Sequence, residues 1–409
     1  MNKEKMKILI VGSGSVASAL ANKFSRYDYV EKIFSTGGFS SDIEVIDIRD
    51  DDLTGLLIFA LENDIDLTVP VSEKALSADI VSFFQSNGQN IFGPTKDSCE
   101  IILNKILCKK FLYKIHAQIT KFGMYNKIPQ INDYLKNSAF PVIIRTPQAD
   151  APDDEKMVCP TIKSACTYVD KLFLKGETDV LIEEYTYGHN FTVYFITDGY
   201  SAIPLNIVGN CKFLDENGGL YSDGVGSYCP DYKVNQGTIS RISNIVSNIL
   251  KSLENRGCPY VGIIGLECVL KSDEQFIVQD ILPFLQNHDA RIILNLCDDD
   301  LIKIFNSCIN GFFSDEYDSI KTSELSSVSA AVYFEKENIK LNFEDLSDID
   351  FINIKQNNNQ YFSTIGFNYT ITKTASTISR AKKYLTEEIE ELNLKDAKFR
   401  KDICAKMEQ

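Results

Sequence analysis

Residues 7–15 of this 409-residue chain, Lys7-Ile-Leu-Ile-Val-Gly-Ser-Gly-Ser, predict a buried parallel strand that runs into a glycine turn. A helical pattern opens directly after the turn, and short apolar runs then alternate with helical segments to about residue 95. Parallel strands need a crossover connection between them, so this alternation predicts an open, doubly wound parallel sheet. The fold class is therefore α/β, with an N-terminal doubly wound domain over residues 1–100.

The remaining chain shows helical patterns at 95–116, 236–256 and 376–392. Strands are predicted near 140–145, 180–185, 191–200, 260–270, 275–281, 326–334 and 366–373. The glycine-rich residues 209–228 are predicted to be loop-like. We divide this part of the chain into units at 101–180, 181–322 and 323–409.

Composition excludes some classes of protein. The net charge of −15 argues against a general binder of the nucleic-acid backbone, which would carry a basic stripe. No apolar run approaches the roughly 20 residues of a membrane span, and the start of the chain lacks a signal-peptide core. The 11 cysteines include no C-x-x-C pair, so most are expected to be reduced and buried. We expect a cytoplasmic protein that binds neither nucleic acid nor membrane.

Two groups of residues are candidates for phosphate or nucleotide contacts. The turn at Gly12 and Gly14 leaves helix N–H groups free for an anion, but it lacks the third glycine of the dinucleotide fingerprint and is as well explained by structure. Glu183 and Glu184 end an apolar strand, which is costly without a partner. They indicate either a solvated edge strand or a hinge whose backbone binds an adenine.

Two strands carry a possible metal site. Facing acidic residues on adjacent strands bind Mg2+ well, because carboxylate oxygens suit a hard cation. Here Glu267 is an acid and its counterpart Gln279 is an amide, so metal binding is left open.

A series of segments keeps the order and spacing of one enzyme family along nearly the whole chain. They are Lys7-Ile-Leu-Ile-Val-Gly-Ser-Gly-Ser, Asp66-Leu-Thr-Val-Pro-Val-Ser-Glu-Lys-Ala-Leu, Ile91-Phe-Gly-Pro-Thr-Lys, Asn104-Lys, Phe140-Pro-Val-Ile-Ile-Arg, Leu181-Ile-Glu-Glu-Tyr-Thr-Tyr-Gly, Gly218-Gly-Leu-Tyr-Ser-Asp-Gly-Val-Gly-Ser-Tyr-Cys-Pro and Lys395-Asp-Ala-Lys-Phe-Arg-Lys-Asp-Ile. In this order they resemble the phosphoribosylamine–glycine ligases (glycinamide ribonucleotide synthetases), which are ATP-grasp enzymes of purine synthesis.

The resemblance implies a central two-lobed ATP-grasp unit and a small α+β C-terminal domain behind the N-terminal domain. It implies a ligase that uses ATP, with Mg2+ as a doubtful cofactor, to join glycine to phosphoribosylamine through an acyl phosphate. The implied ATP-binding residues are Lys105, Arg145, Glu183, Glu184, Tyr185 and Asn190. The implied substrate-binding residues are Gly12, Gly14, Gly224 and Gly226, and the implied metal ligands are Glu267 and Gln279.

The sequence also departs from the family pattern at the metal strand and at the lid. Gln279 stands where the family has its metal-binding carboxylate, Ile281 where it has an Asn ligand and Pro283 where it has an Arg. Asp280 could replace the missing acid only if a β-bulge shifted the strand by one residue. The lid over residues 146–156 contains no glycine, two prolines and four acids, which would repel a triphosphate.

Three hypotheses stay open at this point. The first is an active ligase, for the family reaction or for another carboxylate–amine pair. The second is an inactive member of the fold that binds a nucleotide, a small ligand or a protein partner. The third is an unrelated catalyst with His189 or His288 as its base, although a lone histidine is more often structural.

Overall fold

The computed structural model describes residues 5–38, 43–147, 156–215, 218–343, 345–357, 360–392 and 396–405. Most of the predicted lid, and residues 393–395 near the C-terminal motif, lie outside these ranges. No helix in the described ranges has the length and apolar character needed to cross a membrane.

The N-terminal part is a parallel sheet in the order β3-β2-β1-β4. Its strands are β1 (Met6–Val11), β2 (Val30–Ser35), β3 (Glu44–Val45) and β4 (Leu67–Pro70). Its helices are α1 (Gly14–Phe24), α2 (Leu53–Glu62), α3 (Glu73–Ser77) and α4 (Ile80–Ser86). The predicted doubly wound sheet is confirmed. Asp79 takes a left-handed conformation (φ 69°), which separates α3 from α4.

Residues 95–116 form two helices instead of the one predicted, α5 (Lys96–Leu103) and α6 (Lys105–Lys114). Asn104 lies between them with extended dihedrals, and its side-chain oxygen accepts hydrogen bonds from the N–H groups of Ile106 and Leu107. This N-cap fixes the start of α6 and therefore the position of Lys105, its first residue.

A four-stranded antiparallel sheet follows, in the order β5-β8-β6-β7. Its strands are β5 (Phe122–Tyr125), β6 (Val142–Arg145), β7 (Lys156–Cys159) and β8 (Val180–Glu184), and its helices are α7 (Ile128–Lys136) and α8 (Ile162–Leu174). Strand β8 is hydrogen-bonded to β5 on one side and to β6 on the other. The edge-strand interpretation of Glu183 and Glu184 is therefore wrong.

The largest sheet has nine strands, in the order β13-β12-β9-β10-β11-β14-β19-β16 with β20 beside β14. They are β9 (His189–Asp198), β10 (Ala202–Asp215), β11 (Gly218–Cys229), β12 (Val261–Leu270), β13 (Phe276–Leu282), β14 (Ser326–Phe334), β16 (Ile349–Phe351), β19 (Gly366–Ala375) and β20 (Ala397–Lys398). The loop predicted over residues 209–228 is wrong, because its glycines lie in β10 and β11, where they let neighbouring side chains pack close to the backbone.

A small sheet, β15 (Lys340–Leu341), β17 (Ile354–Asn357) and β18 (Gln360–Ser363), and five helices complete the described fold. The helices are α9 (Gln236–Glu254), α10 (Ala290–Leu296), α11 (Leu301–Asn310), α12 (Phe313–Glu316) and α13 (Ile378–Glu391). All 11 cysteines are free and eight are buried, as predicted for most of them. The four-part division of the chain stays a prediction.

Candidate functional site

The candidate site lies where the N-terminal end of α6 and the four-stranded sheet meet β12 and β13 of the large sheet. Lys105 and Lys109 stand one helical turn apart on α6 and point to the same side, and both are buried. Arg145, at the end of β6, is also buried, with 8% of its surface exposed. Buried cations need anionic partners, and three carboxylates supply them.

Asp280 on β13 is the first of these carboxylates. Its Oδ2 lies 2.9 Å from Nζ of Lys105 and 3.2 Å from Nη1 of Arg145. Its Oδ1 accepts a hydrogen bond of 2.9 Å from the N–H of Ile281. Burial by itself would raise the pKa of Asp280, but Lys105 and Arg145 outweigh burial and hold the pKa well below its ordinary value.

Glu183 on β8 is the second carboxylate. Oε1 lies 2.5 Å from Nζ of Lys109, and Oε2 lies 3.1 Å from Nε of Arg145. Burial opposes ionisation here too, but Lys109 and Arg145 lower the pKa of Glu183 below its ordinary value. Arg145 is thus held by one carboxylate on its Nε side and by Asp280 on its Nη1 side, which fixes the orientation of its guanidinium.

Glu267 on β12 is the third carboxylate, and its Oε2 lies 3.1 Å from Nζ of Lys212 on β10. Both side chains are at least nine-tenths buried. Gln279 lines the same cavity, and its buried Oε1 has no hydrogen-bond partner among the residues that the structure describes. The cavity between Arg145 and these side chains measures about 20 Å3.

The pairing of β12 with β13 contains the bulge that the sequence required for Asp280 to reach the site. Glu267 is opposite Asp280, and the next residue, Cys268, is opposite Val278, so Gln279 is the extra residue. The bulge places Glu267 and Asp280 on one face of the sheet. Ile281, opposite Leu266, belongs to the apolar core instead, which corrects its expected place at the metal position.

The predicted hinge residues lie beside this cluster. Glu184 is half-buried and 3.6 Å from Nζ of Lys121, while the N–H of Tyr185 donates to the carbonyl of Pro141. The ring of Tyr185 lies 4.9 Å from that of Tyr187. Asn190 lies near the start of β9, opposite Val269 on β12.

The histidines considered as bases both contact buried aspartates. Nε2 of His189 lies 2.5 Å from Asp231, and Nε2 of His288 lies 3.4 Å from Asp289. Asp289 also accepts hydrogen bonds from Tyr194, from Asn210 on β10 and from Ser227 on β11, so it is part of a buried polar network. These contacts fix the orientation of both imidazole rings.

The four glycines predicted to bind substrate have packing roles that explain their identity. Gly12 (φ 146°) lies where a Cβ would come within 2.7 Å of a methyl group of Val71. Gly14 (φ 80°) starts α1 beside Asn287. Side chains at Gly224 and Gly226 would overlap the ring of His288 and the side chain of Ile403, respectively. Their contact with a substrate stays a prediction.

Sequence reasoning missed two members of the cluster, Lys109 and Lys212, and left a third, Asp280, conditional on a bulge. Lys109 could have been found, because it follows Lys105 by four residues and therefore shares its helix face. Lys212 lies in residues 209–228, for which the sequence predicts a loop, although the structure places it in β10. Asp280 depended on the bulge, which has no signature in a single sequence.

Two family models match consecutive stretches that together span more than half of the chain. The phosphoribosylglycinamide synthetase N domain matches residues 6–101, and the ATP-grasp (A) domain of the same synthetase matches residues 103–284. The chain belongs to the phosphoribosylglycinamide synthetase family. The boundary between the two matched domains falls just before Asn104, the residue that caps α6.

Relatives and solved structures agree with this membership. A phosphoribosylamine–glycine ligase of Fusobacterium nucleatum is 26% identical over 97% of this chain and 98% of its own length. The crystal structure of a phosphoribosylamine–glycine ligase from Thermotoga maritima has a TM-score of 0.80 at 16% identity, covering 97% of this chain and 100% of that chain.

The family's fold extends to a second enzyme class. The biotin carboxylase domain of 2-oxoglutarate carboxylase from Hydrogenobacter thermophilus, solved with MgADP and bicarbonate, has a TM-score of 0.68 at 13% identity. That match covers 94% of this chain and 89% of that chain. The ATP-grasp assignment itself comes from the family model over residues 103–284, and these solved structures share the fold.

Proposed function

We propose that this chain catalyses the ATP-dependent ligation of glycine to phosphoribosylamine, a step of purine biosynthesis, in the cytoplasm. The observation that carries the proposal is the buried group of Lys105, Lys109, Arg145 and Lys212 at one cleft of a phosphoribosylglycinamide synthetase fold. Three buried carboxylates face these four cations in the described residues. The cluster therefore keeps one excess positive charge and favours an anionic ligand.

In the proposed reaction the glycine carboxylate attacks the γ-phosphorus of ATP and ADP leaves. The amine of phosphoribosylamine then attacks the acyl carbon, and phosphate leaves as the amide bond forms. Lys105 and Arg145 hold phosphate oxygens and stabilise the charge that develops on them. Glu183 keeps the guanidinium of Arg145 in place through its contact with Nε.

The residues at the β12–β13 bulge fit a divalent cation. Glu267 and Asp280 are carboxylates on one face of the sheet, and within the described ranges the buried Oε1 of Gln279 lacks a hydrogen-bond partner. Oxygen ligands of this kind suit Mg2+. Within the described residues no group of three or more His, Cys, Asp and Glu side chains converges on one point, so phosphate oxygens would complete the coordination. Bound there, Mg2+ would neutralise charge on the phosphates.

The hypothesis of an inactive binding protein rested largely on Gln279, Ile281 and Pro283. The bulge weakens that support, because it supplies Asp280 as an acid and places Ile281 in the core. Pro283 lies outside the cleft, where its carbonyl accepts a hydrogen bond from the hydroxyl of Tyr260.

The test is ADP release by the purified protein with ATP, Mg2+, glycine and freshly prepared phosphoribosylamine. We expect ADP to form only when both glycine and phosphoribosylamine are present, and the amide product to form in equal amount. A Lys105→Met variant should be inactive, while Lys110→Met, an exposed lysine on the same helix, should keep its activity. ADP formation no faster than in a protein-free control would contradict the proposal.

A further inference from the structure

Asp280 forms ion pairs with the two cations that would bind a triphosphate. Its carboxylate contacts Lys105 and Arg145, and the cavity beside it holds about 20 Å3, about the room that one water molecule requires. Phosphate oxygens and this carboxylate compete for the same N–H donors. Because this cavity has no room for a phosphate beside the carboxylate, a nucleotide reaches Lys105 and Arg145 when the side chain of Asp280 turns away from them.

The bulge provides a second place for that carboxylate. Asp280 is directly opposite Glu267, and directly opposite residues of an antiparallel pair have Cβ atoms about 4.5–5.5 Å apart on the same face. Two carboxylates at that spacing can share one small cation. Gln279 is the extra residue of this bulge and lines the same cavity, and its Oε1 has no hydrogen-bond partner among the described residues.

The charge of the cluster decides when a cation can bind. Among the described residues, the buried members of the cluster are four cations and three carboxylates, a net charge of +1. Mg2+ alone would raise this charge to +3, in a site with little water to screen it. A triphosphate carries about four negative charges near neutral pH, so by itself it would lower the net charge to −3. Both ligands together leave −1, which is as close to neutrality as the empty cluster and closer than the +3 or −3 of either ligand bound alone.

We infer that Asp280 is a switching carboxylate, which neutralises Lys105 and Arg145 in the nucleotide-free protein and becomes a metal ligand with Glu267 when the triphosphate displaces it. This inference rests on the proposed function, because it requires ATP at the cleft. It makes ATP and the divalent cation bind jointly, and neither binds tightly alone.

The test is the affinity for ATP, measured by calorimetry with Mg2+ and with EDTA, for the wild type and for Asp280→Asn. In EDTA the variant should bind ATP on the order of tenfold more tightly, because a competing charge is gone. The ratio of the ATP dissociation constant in EDTA to that in Mg2+ measures the affinity gained from the metal. In the variant this ratio should fall on the order of tenfold. Asp280→Glu keeps the charge and should keep most of that ratio.

The matched control is Asp198→Asn. Asp198 is as buried as Asp280 but lies at the far end of β9. It is six residues, or roughly 20 Å, from Thr192, the β9 residue that pairs with Glu267. Asp198→Asn should leave the ATP dissociation constants with Mg2+ and with EDTA unchanged. If Asp280→Asn shifts the two constants equally, Asp280 is a structural residue and the inference is wrong.

A measurement on the wild type covers the case in which Asp280→Asn does not fold. Mn2+, followed by its electron paramagnetic resonance signal, should show no saturable binding to the protein without nucleotide. Tight binding of Mn2+ alone would overturn the switch, because it would reveal a preformed metal site. If the wild type binds no ATP with Mg2+ or with EDTA, the proposed function fails as well. If ATP binds but the ratio of its two dissociation constants is unchanged in Asp280→Asn, only the switch is overturned.

Discussion

Replacement of Lys109 by Met tests whether the ion pairs of the cleft are as buried in solution as in the structure. The side chains of Lys109 and Glu183 are 1% and 7% exposed, with Nζ and Oε1 2.5 Å apart. Removal of one partner from a buried pair typically costs about 3–5 kcal/mol, because it leaves the other charge without compensation. Glu183 keeps Arg145 at 3.1 Å, so we expect a loss near the lower end, about 3 kcal/mol.

The assay is urea unfolding, with the free energy of unfolding compared between the wild type and Lys109→Met. The control is Lys383→Met, which removes an exposed pair with Glu387 (69% and 51% exposed, 3.6 Å apart) and should cost no more than about 0.5 kcal/mol. The double variant Lys109→Met, Glu183→Leu should recover part of the loss, because it also removes the stranded carboxylate. A loss below about 1 kcal/mol for Lys109→Met would refute the burial of this pair.

Three further predictions concern the same site. Lys105→Ala should weaken ATP binding at least about tenfold in calorimetry, while the control Lys110→Ala, on the exposed side of α6, should leave the affinity unchanged. If the two variants bind ATP equally well, the phosphates bind elsewhere. Because the folded-state pKa of Asp280 is lowered, the stability that its ionised form contributes is present above its unfolded pKa of about 4 and is lost as the pH falls from that value through the folded-state pKa. The difference in the free energy of unfolding between the wild type and Asp280→Asn should therefore shrink over that range, and a difference independent of pH would contradict the pKa shift. Gly224→Ala should destabilise the fold by about 1–3 kcal/mol, because the added Cβ would overlap the ring of His288. In thermal melts, adding His288→Ala to this variant should restore part of the lost stability. No recovery would mean that the strain arises at another contact.

The sequence predicted the layout of the chain better than its local detail. The alternation of apolar strands and helices led to the parallel sheet, because buried parallel strands carry a strong apolar signal. Glycine density was misleading in residues 209–228, because in β11 the glycines serve close packing and not a turn. The break at Asn104 was also missed, since one capping residue between two helical patterns does not interrupt their periodicity.

The candidate site was predicted in part, and the missing part has a physical cause. Lys105, Arg145 and Glu183 were located from motif positions that a strand or helix pattern preserves. Asp280 and Lys212 are brought in by strand pairing, and pairing register depends on contacts between distant segments. A one-residue bulge exchanges the side chains that face the cleft, so the identity of the metal strand's acid could not be decided from residue order alone.

The position of β14 in the large sheet has a consequence for synthesis of the chain. Strand β14 is paired with β11 and with β19, so residues after 322 complete a sheet whose other strands were made much earlier. While the C-terminal segment is still in the ribosome, β11 presents an open edge of unpaired N–H and C=O groups, which is a template for association with other chains. Shortening the protein at residue 322 would make that transient edge permanent. We therefore expect such a fragment to accumulate in the insoluble fraction of expressing cells.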